Sequence, residues 1–107
     1  MIRLRTDESK IWQNFEITFS NGYTVSIGIG KGHYCQNRIN DARGLPIDDH
    51  SMDCEVAIIK PNRKFLRYKG DDGISTCVQG YVFPDRVAEI IAYVKSLEPN
   101  NHGRVAK

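Results

Sequence analysis

The sequence has no long apolar segment, and its charges nearly cancel. No apolar run approaches the roughly 18 residues that a membrane-spanning helix needs. The first residues, MIRLRTDESK, lack the apolar core of a secretory signal. The net charge is +2, which is small for a nucleic-acid-binding domain. We therefore expect a cytoplasmic protein that acts away from membranes.

Cysteine is scarce, and the three cysteines form an odd set: Cys35, Cys54 and Cys77. Disulfide-stapled secreted domains usually carry an even number, so we expect these thiols to be reduced. The sequence also lacks internal repeats, low-complexity tracts and a dividing linker. Its 107 residues, 1–107, are therefore expected to form a single domain with its own core.

The clearest structural signal lies in residues 15–29. Apolar side chains alternate with polar ones on both sides of Ser20-Asn21-Gly22. A two-residue turn there would put the two apolar sets on opposite faces of the hairpin. A three-residue loop pairs Phe19 with Tyr23, so that both sets share one face. The pattern predicts this hairpin, with Gly22 in the left-handed position of a bulge.

A second hairpin is predicted around Pro61-Asn62. Residues 54–59 favour a strand, and residues 65–68 would return beside them, with Arg63 as the bulge residue. This register pairs Ile58 with Leu66 and Val56 with Tyr68 on one face, and Ile59 with Phe65 on the other. Both faces near the turn would then be apolar, which suggests cover by a helix or by a second copy in a homodimer.

The remaining elements complete an α+β prediction. Ile2 and Leu4 alternate with arginines in a short edge strand, residues 70–73 read as a turn, and a strand around 76–79 is bulged at Gly80. A helix over 84–97 carries an apolar stripe, and residues 99–107 form a mobile tail. The sequence predicts an antiparallel sheet of four to five strands, two hairpins plus one strand, with this C-terminal helix on one face.

Residues 30–53 show no strand or helix period apart from a short helical turn near 39–42. Long irregular segments in small domains are often functional. The glycine-rich GIGKGH at its start is like a phosphate-cradling loop, but alternate glycines more simply let another backbone approach. Cationic and aromatic side chains follow, and we expect partner or ligand contacts at Lys31, His33, Tyr34, Arg38 and Arg43.

The same segment offers an alternative, a metal site or a thiol enzyme. His33, Cys35, His50 and Cys54 are the side-chain types that bind tetrahedral zinc. Their spacing matches no standard zinc pattern, and the sequences typical of catalytic cysteines are missing, so inert thiols are favoured. The nearby acids Asp48, Asp49, Asp53 and Glu55 lack the spacing of a calcium loop and are interpreted as a solvated acidic stretch.

A further alternative is nucleic-acid binding through the tip of the second hairpin. Five cations lie there with Phe65 and Tyr68 among them: Lys60, Arg63, Lys64, Arg67 and Lys69. Basic side chains interleaved with aromatics are typical of nucleic-acid binders. The small net charge favours the simpler interpretation, a charged tip that keeps an edge hairpin from aggregating.

Four stretches resemble small phage-encoded proteins of unassigned activity: SNGYTVSIGIG, GHYCQNR, DCEVAII and GYVFPDRVAEIIAYV. The resemblance implies a viral or prophage origin, and it implies no catalytic residue. Many small phage proteins bind and inhibit a host factor. We therefore expect a non-enzymatic accessory protein, without a cofactor, that binds a host protein or a small anionic ligand.

Overall fold

A five-stranded antiparallel sheet forms the centre of the structure, a computed structural model that describes residues 1–47, 50–69 and 75–99. Its strands are β1 (Ile2–Arg5), β2 (Asn14–Thr18), β3 (Thr24–Gly28), β4 (Cys54–Ile59) and β7 (Val78–Val82), in the order β1-β2-β3-β4-β7. A separate two-stranded ladder joins β5 (Tyr68–Lys69) to β6 (Ser75–Thr76). The predicted turn at 70–73, the tail at 100–107 and the acids Asp48 and Asp49 lie outside the described residues.

The first hairpin is the one that the sequence predicts. The Phe19 amide donates to the Tyr23 carbonyl at 2.9 Å, and Ile17 pairs with Val25 in the ladder. Gly22 has a φ of +87°, the left-handed conformation that glycine adopts without steric cost. The predicted edge strand is also confirmed, because β1 pairs with β2 along its length.

Helix α2 (Pro84–Lys95) covers one face of the sheet. Its stripe buries Ile90 and Val94 against side chains of the central strands, of which Val25, Val56 and Ile58 have no exposed surface. The predicted α+β architecture, with a C-terminal helix on an antiparallel sheet, is therefore confirmed. No helix among the described residues is long and apolar enough to cross a membrane.

Asn21 connects the first hairpin to the end of α2. Its side-chain amide donates to the carbonyls of Val94 and Leu97, each at 2.9 Å, and its Oδ1 accepts the Tyr23 amide at 3.0 Å. These bonds lie at the C-terminal end of α2, where carbonyls lack the partners of the helix interior; the Val94 carbonyl also accepts the Leu97 amide at 3.2 Å. The sequence assigned Asn21 only to the turn, whereas the structure gives this buried side chain a role in holding the helix to the sheet.

The second hairpin is only partly as predicted. Its turn is correct, since the Lys60 amide donates to the Lys64 carbonyl and Arg63 has a φ of +70°. The predicted pairing of Ile59 with Phe65 is confirmed, and the Leu66 amide donates to the Ile58 carbonyl at 2.8 Å; beyond these residues the strands diverge. The predicted pairing of residue 56 with residue 68 is wrong, because β7 occupies that edge of β4 and the chain at 68–69 pairs with β6 instead.

The bulge predicted at Gly80 is present, although its strand is β7 at 78–82 rather than 76–79. Cys54 pairs with Val82, and Val56 pairs with Gln79. Between these pairs one residue of β4 faces two residues of β7, Gly80 and Tyr81. Tyr81 takes a left-handed φ of +56° there, so its backbone turns out of the ladder.

Residues 30–53 are more regular than the sequence suggests. They contain helix α1 (Gln36–Ala42), which begins before the predicted helical turn at 39–42. Its first residues follow a tight turn in which the His33 amide donates to the Gly30 carbonyl at 2.9 Å. The tight turn and α1 therefore give the predicted contact residues a defined backbone.

Candidate functional site

Glu55 is the centre of the site. It lies in β4 opposite the bulge and alternates with Cys54 and Val56 of the core, so its side chain faces away from α2. Oε1 accepts a hydrogen bond from His33 Nδ1 at 3.1 Å, and Oε2 accepts one from the Tyr34 amide at 2.9 Å. One carboxylate thus fixes two successive residues of the loop at 33–35.

The charge of Glu55 is stabilised by these contacts. Burial acts to raise the pKa of this carboxyl group, but the hydrogen bonds from His33 and from the Tyr34 amide hold it below its usual value. The neighbouring charges of His33 and Arg38 act in the same direction. Glu55 is therefore ionised at neutral pH and accepts both bonds as a carboxylate.

His33 is packed between the sheet and Trp12. A Cβ at position 28 would collide with its ring, so Gly28 leaves the space in which the ring lies. The ring of Trp12 meets it edge-on at 5.2 Å between centroids. Within the part of the chain that the structure describes, His33 Nε2 is buried and has no hydrogen-bond partner. The predicted contact residue His33 is thus an internal support of the loop.

Both backbone groups of Tyr34 are hydrogen-bonded, and its side chain is exposed. Its amide donates to Glu55, and its carbonyl accepts the Tyr81 amide of the bulge at 2.9 Å. Gly80 permits this approach, because a Cβ there would lie 2.5 Å from the Cβ of Tyr34. The Tyr34 side chain is 51% exposed, and the Arg38 guanidinium lies 4.9 Å from its ring centroid.

Four exposed residues belong to this loop or contact it, and we call them the aromatic surface: Trp12, Tyr34, Arg38 and Tyr81. Trp12 contacts the loop through His33, Arg38 stacks on Tyr34, and Tyr81 is bonded to the loop through its backbone. Tryptophan, tyrosine and arginine are the residues that most often dominate the binding energy of protein interfaces. The arrangement is suited to contact with another molecule.

The other two predicted contact residues flank this surface. Lys31 Nζ lies 3.7 Å from a carboxylate oxygen of Asp41, on α1. Arg43 is exposed and ends α1, where its amide donates to the Ile39 and Asn40 carbonyls at 3.1 Å. Of the predicted set, the structure brings Tyr34 and Arg38 into direct contact, buries His33 behind them, and places Lys31 and Arg43 around α1.

The glycines of GIGKGH have the simpler of their two predicted roles. A Cβ at Gly30 would collide with the carbonyl of Ile11, and one at Gly32 would lie 2.8 Å from the same oxygen. The Lys31 and Gly32 amides donate to the carbonyls of Lys10 and Ile11, each at 2.8 Å. The segment therefore packs against the backbone at residues 10–11, and these two amides are bonded within the chain.

The candidate zinc ligands lie in different surroundings. His33 faces Glu55, whereas Cys35 is buried with its Sγ 3.4 Å from the Gly30 carbonyl. Cys54 belongs to the core beside α2, and His50 is exposed. Across residues 1–47, 50–69 and 75–99, no group of three or more His, Cys, Asp or Glu side chains is placed to hold a metal ion.

The two buried thiols have the chemistry of structural cysteines. Burial raises the pKa of the Cys35 thiol above its usual value. Burial, with the charge of Asp53 adding to it, raises the pKa of Cys54 to about 12. A nucleophilic cysteine requires the opposite shift, towards the thiolate. Both side chains are therefore protonated and unreactive at neutral pH.

The interpretation of the acidic residues as a solvated stretch is wrong for Asp53 and Glu55. Asp53 is buried, and its Oδ1 accepts the Gln36 amide at 2.7 Å at the start of α1. The N-cap residue Cys35 makes no side-chain cap bond, so Asp53 supplies that bond from a distant part of the chain. Strand alternation in CEVAII could have placed Glu55 on the face opposite the core, but nothing local indicates its partner.

The basic hairpin tip is solvent-facing. Arg63, Lys64 and Arg67 are exposed, and Phe65 is exposed between them. The Lys64 amide donates to Asn62 Oδ1 at 3.0 Å, which fixes the turn. These contacts fit a charged tip, and nucleic-acid binding there stays a prediction.

The chain has no match among protein-family models, curated proteins or solved structures.

Proposed function

We propose that this chain is a non-enzymatic accessory protein that binds a partner protein through the aromatic surface. The observation that carries the proposal is the geometry of Tyr34. Both of its backbone groups are bonded, to Glu55 and to Tyr81, while its ring is exposed under the Arg38 guanidinium. The interior of the fold is thus used to hold an exposed aromatic side chain in one position.

Holding these side chains in place favours binding. A side chain that is already ordered loses less conformational entropy when a partner covers it, by about 0.5–1.5 kcal/mol for each side chain. Tyr34 is ordered through its backbone and through Arg38, and Trp12 through its contact with His33. Burial of exposed aromatic rings also favours binding, because it removes a large apolar area from water.

A protein partner suits this surface better than a small anionic ligand. Small-molecule sites are usually concave, and they enclose most of the ligand. One cavity, of about 360 Å³, is lined by residues of α2 and β5, and another, of about 260 Å³, lies beside Cys54 and Val87. These two cavities are lined by other residues, whereas Trp12, Tyr34, Arg38 and Tyr81 are exposed, and exposed rings are better suited to a protein surface.

The partner we propose is a host protein in the host cytoplasm, and the effect of binding is inhibition or sequestration. The resemblance to small phage-encoded proteins supports this choice. The proposal requires no metal or cofactor, and the protonated thiols of Cys35 and Cys54 are consistent with a role that does not involve catalysis.

The test compares alanine variants for folding and for binding. Tyr34→Ala and Arg38→Ala should keep the circular dichroism spectrum of the parent chain and weaken partner binding at least tenfold. Tyr93→Ala is the matched control, since Tyr93 is also exposed but lies on α2, on the other side of the sheet. Alanine substitutions across 31–43 that leave folding, binding and biological activity intact would contradict the proposal.

A further inference from the structure

Among the residues that the structure describes, strand β1 is an open edge of the sheet. It is the outermost strand beside β2, at the edge opposite β7, and all four of its residues are exposed. Ile2 and Leu4 are 68% and 70% exposed, although both are large apolar side chains. An exposed edge strand with apolar side chains can pair with a strand of another molecule.

The hydrogen bonds of the first residues show which backbone groups of β1 face outwards. The Met1 amino group donates to the Thr18 carbonyl, and the Thr18 amide donates to the Met1 carbonyl, both at 2.8 Å. In an antiparallel ladder such hydrogen-bonded pairs alternate with pairs that make no bonds. Arg3 and Arg5 therefore bond towards β2, and the amide and carbonyl groups of Ile2 and Leu4 point away from the sheet.

The side chains of β1 are divided by charge between the two faces. Ile2 and Leu4 pair with Ile17 and Phe15. These two pair in turn with Val25 and Ile27, on the face that α2 covers further along the sheet. Arg3 and Arg5 project from the opposite face. An added strand would therefore meet apolar side chains on one face and two positive charges on the other.

We propose that β1 is a docking edge for an extended segment of a partner in which apolar and acidic side chains alternate. The segment would become a sixth strand, bonded to the outward backbone groups of Ile2 and Leu4. Its apolar side chains would cover those two residues, and its carboxylates would face Arg3 and Arg5.

A second copy of this chain is the less suitable occupant. Antiparallel pairing of β1 with another β1 would bring arginines of both copies together on one face, where like charges repel. The docking edge is at the opposite side of the sheet from Tyr81 of the aromatic surface, and its proposal does not depend on that surface.

The experiment measures binding of two eight-residue peptides to the full chain. One peptide alternates valine with glutamate, and the other alternates valine with lysine. In a titration of the isotope-labelled protein followed by NMR, the glutamate peptide should bind saturably and shift the amide signals of residues 2–5. It should also slow hydrogen exchange at the Ile2 and Leu4 amides. The lysine peptide should bind at least tenfold more weakly.

Two variants at one position test the backbone contact. Leu4→Pro removes an outward amide, and an edge strand tolerates proline where the amide faces solvent. Leu4→Pro should lower the affinity for the glutamate peptide at least tenfold. The control Leu4→Val should bind this peptide with an affinity within about threefold of that of the parent chain. If Leu4→Pro does not fold, the double variant Arg3→Glu/Arg5→Glu provides the test, since it should reverse the preference to the lysine peptide.

The proposal is overturned by any of three results. The first is no saturable binding of the glutamate peptide at millimolar concentration. The second is equal binding of both peptides, or of the Leu4→Pro and Leu4→Val variants. The third is a dimer in sedimentation that Leu4→Pro dissociates, which would assign the edge to a second copy.

Discussion

Replacement of Glu55 by alanine removes the carboxylate that holds the loop at 33–35 to the sheet. Two hydrogen bonds are lost, from His33 Nδ1 at 3.1 Å and from the Tyr34 amide at 2.9 Å. Hydrogen bonds to a charged group contribute about 1.5–3 kcal/mol each. Water reaches part of this site, since the Glu55 side chain is 19% exposed. We therefore take the lower end of the range and expect a loss of about 3 kcal/mol for the two bonds.

The assay is equilibrium unfolding in urea. The dependence on urea for a protein of this size is about 1–3 kcal/mol per molar. A loss of about 3 kcal/mol therefore moves the midpoint down by about 1 M or more. The tyrosine and tryptophan signals of the loop should change in the folded variant, because Tyr34 and Trp12 lose their support.

Glu89→Ala is the matched control for this change. Glu89 is 68% exposed and makes an ion pair with Arg86 at 3.3 Å on one turn of α2. An exposed pair of this kind contributes about 0–1 kcal/mol. If Glu55→Ala lowers the free energy of unfolding by no more than Glu89→Ala does, the role given to Glu55 as the centre of the site is refuted.

Because folding lowers the pKa of Glu55, the carboxyl group takes up a proton at higher pH in the unfolded chain than in the folded one. The contribution of the Glu55 carboxylate to stability is therefore present above the usual carboxyl pKa of about 4.3 and is lost as pH falls through the lower folded pKa. The urea midpoints of the parent chain and of Glu55→Gln should converge in that range. For Cys54 the pH dependence is the opposite, because the thiol ionises near pH 8.5 in the unfolded chain and at about 12 in the folded one. Stability should therefore fall as pH rises between these values, and Cys54→Ala should lack that part of the decline. Gly80→Ala should lower the free energy of unfolding by about 1–3 kcal/mol, because the new methyl group would overlap Tyr34; an unchanged urea midpoint would show that the loop does not approach the bulge as described.

The regular parts of the fold could be predicted because their signals are local. Alternation fixes the register of the Phe19–Tyr23 hairpin, and the stripe on α2 identifies the face that packs on the sheet. The predicted register of the second hairpin is wrong at the pair of Val56 with Tyr68, because a competing strand from far along the chain, β7, occupies that edge of β4. Local pattern cannot decide which of two strands occupies one edge.

The site could be predicted only in part, and for a related reason. Tyr34 and Arg38 are among the contact residues predicted from the cationic and aromatic side chains of the segment at 30–53, and the structure brings the two side chains together; their contact role stays a prediction. The roles of Asp53 and Glu55 depend on partners 17 and 21 residues away in sequence, which only the folded chain brings close. Asn21 was assigned to its turn, since its bonds to α2 span 73 and 76 residues.

The most direct test of the proposed function is site-specific photo-crosslinking in a lysate of the cells in which the protein acts. Benzoylphenylalanine is introduced in place of Tyr34 in one sample and in place of Tyr93 in another, and the products are identified by mass spectrometry. We expect one discrete host protein crosslinked from position 34 and absent from position 93, with the yield reduced by Arg38→Ala. The same products from both positions, or none from position 34, would contradict the proposed binding through the aromatic surface.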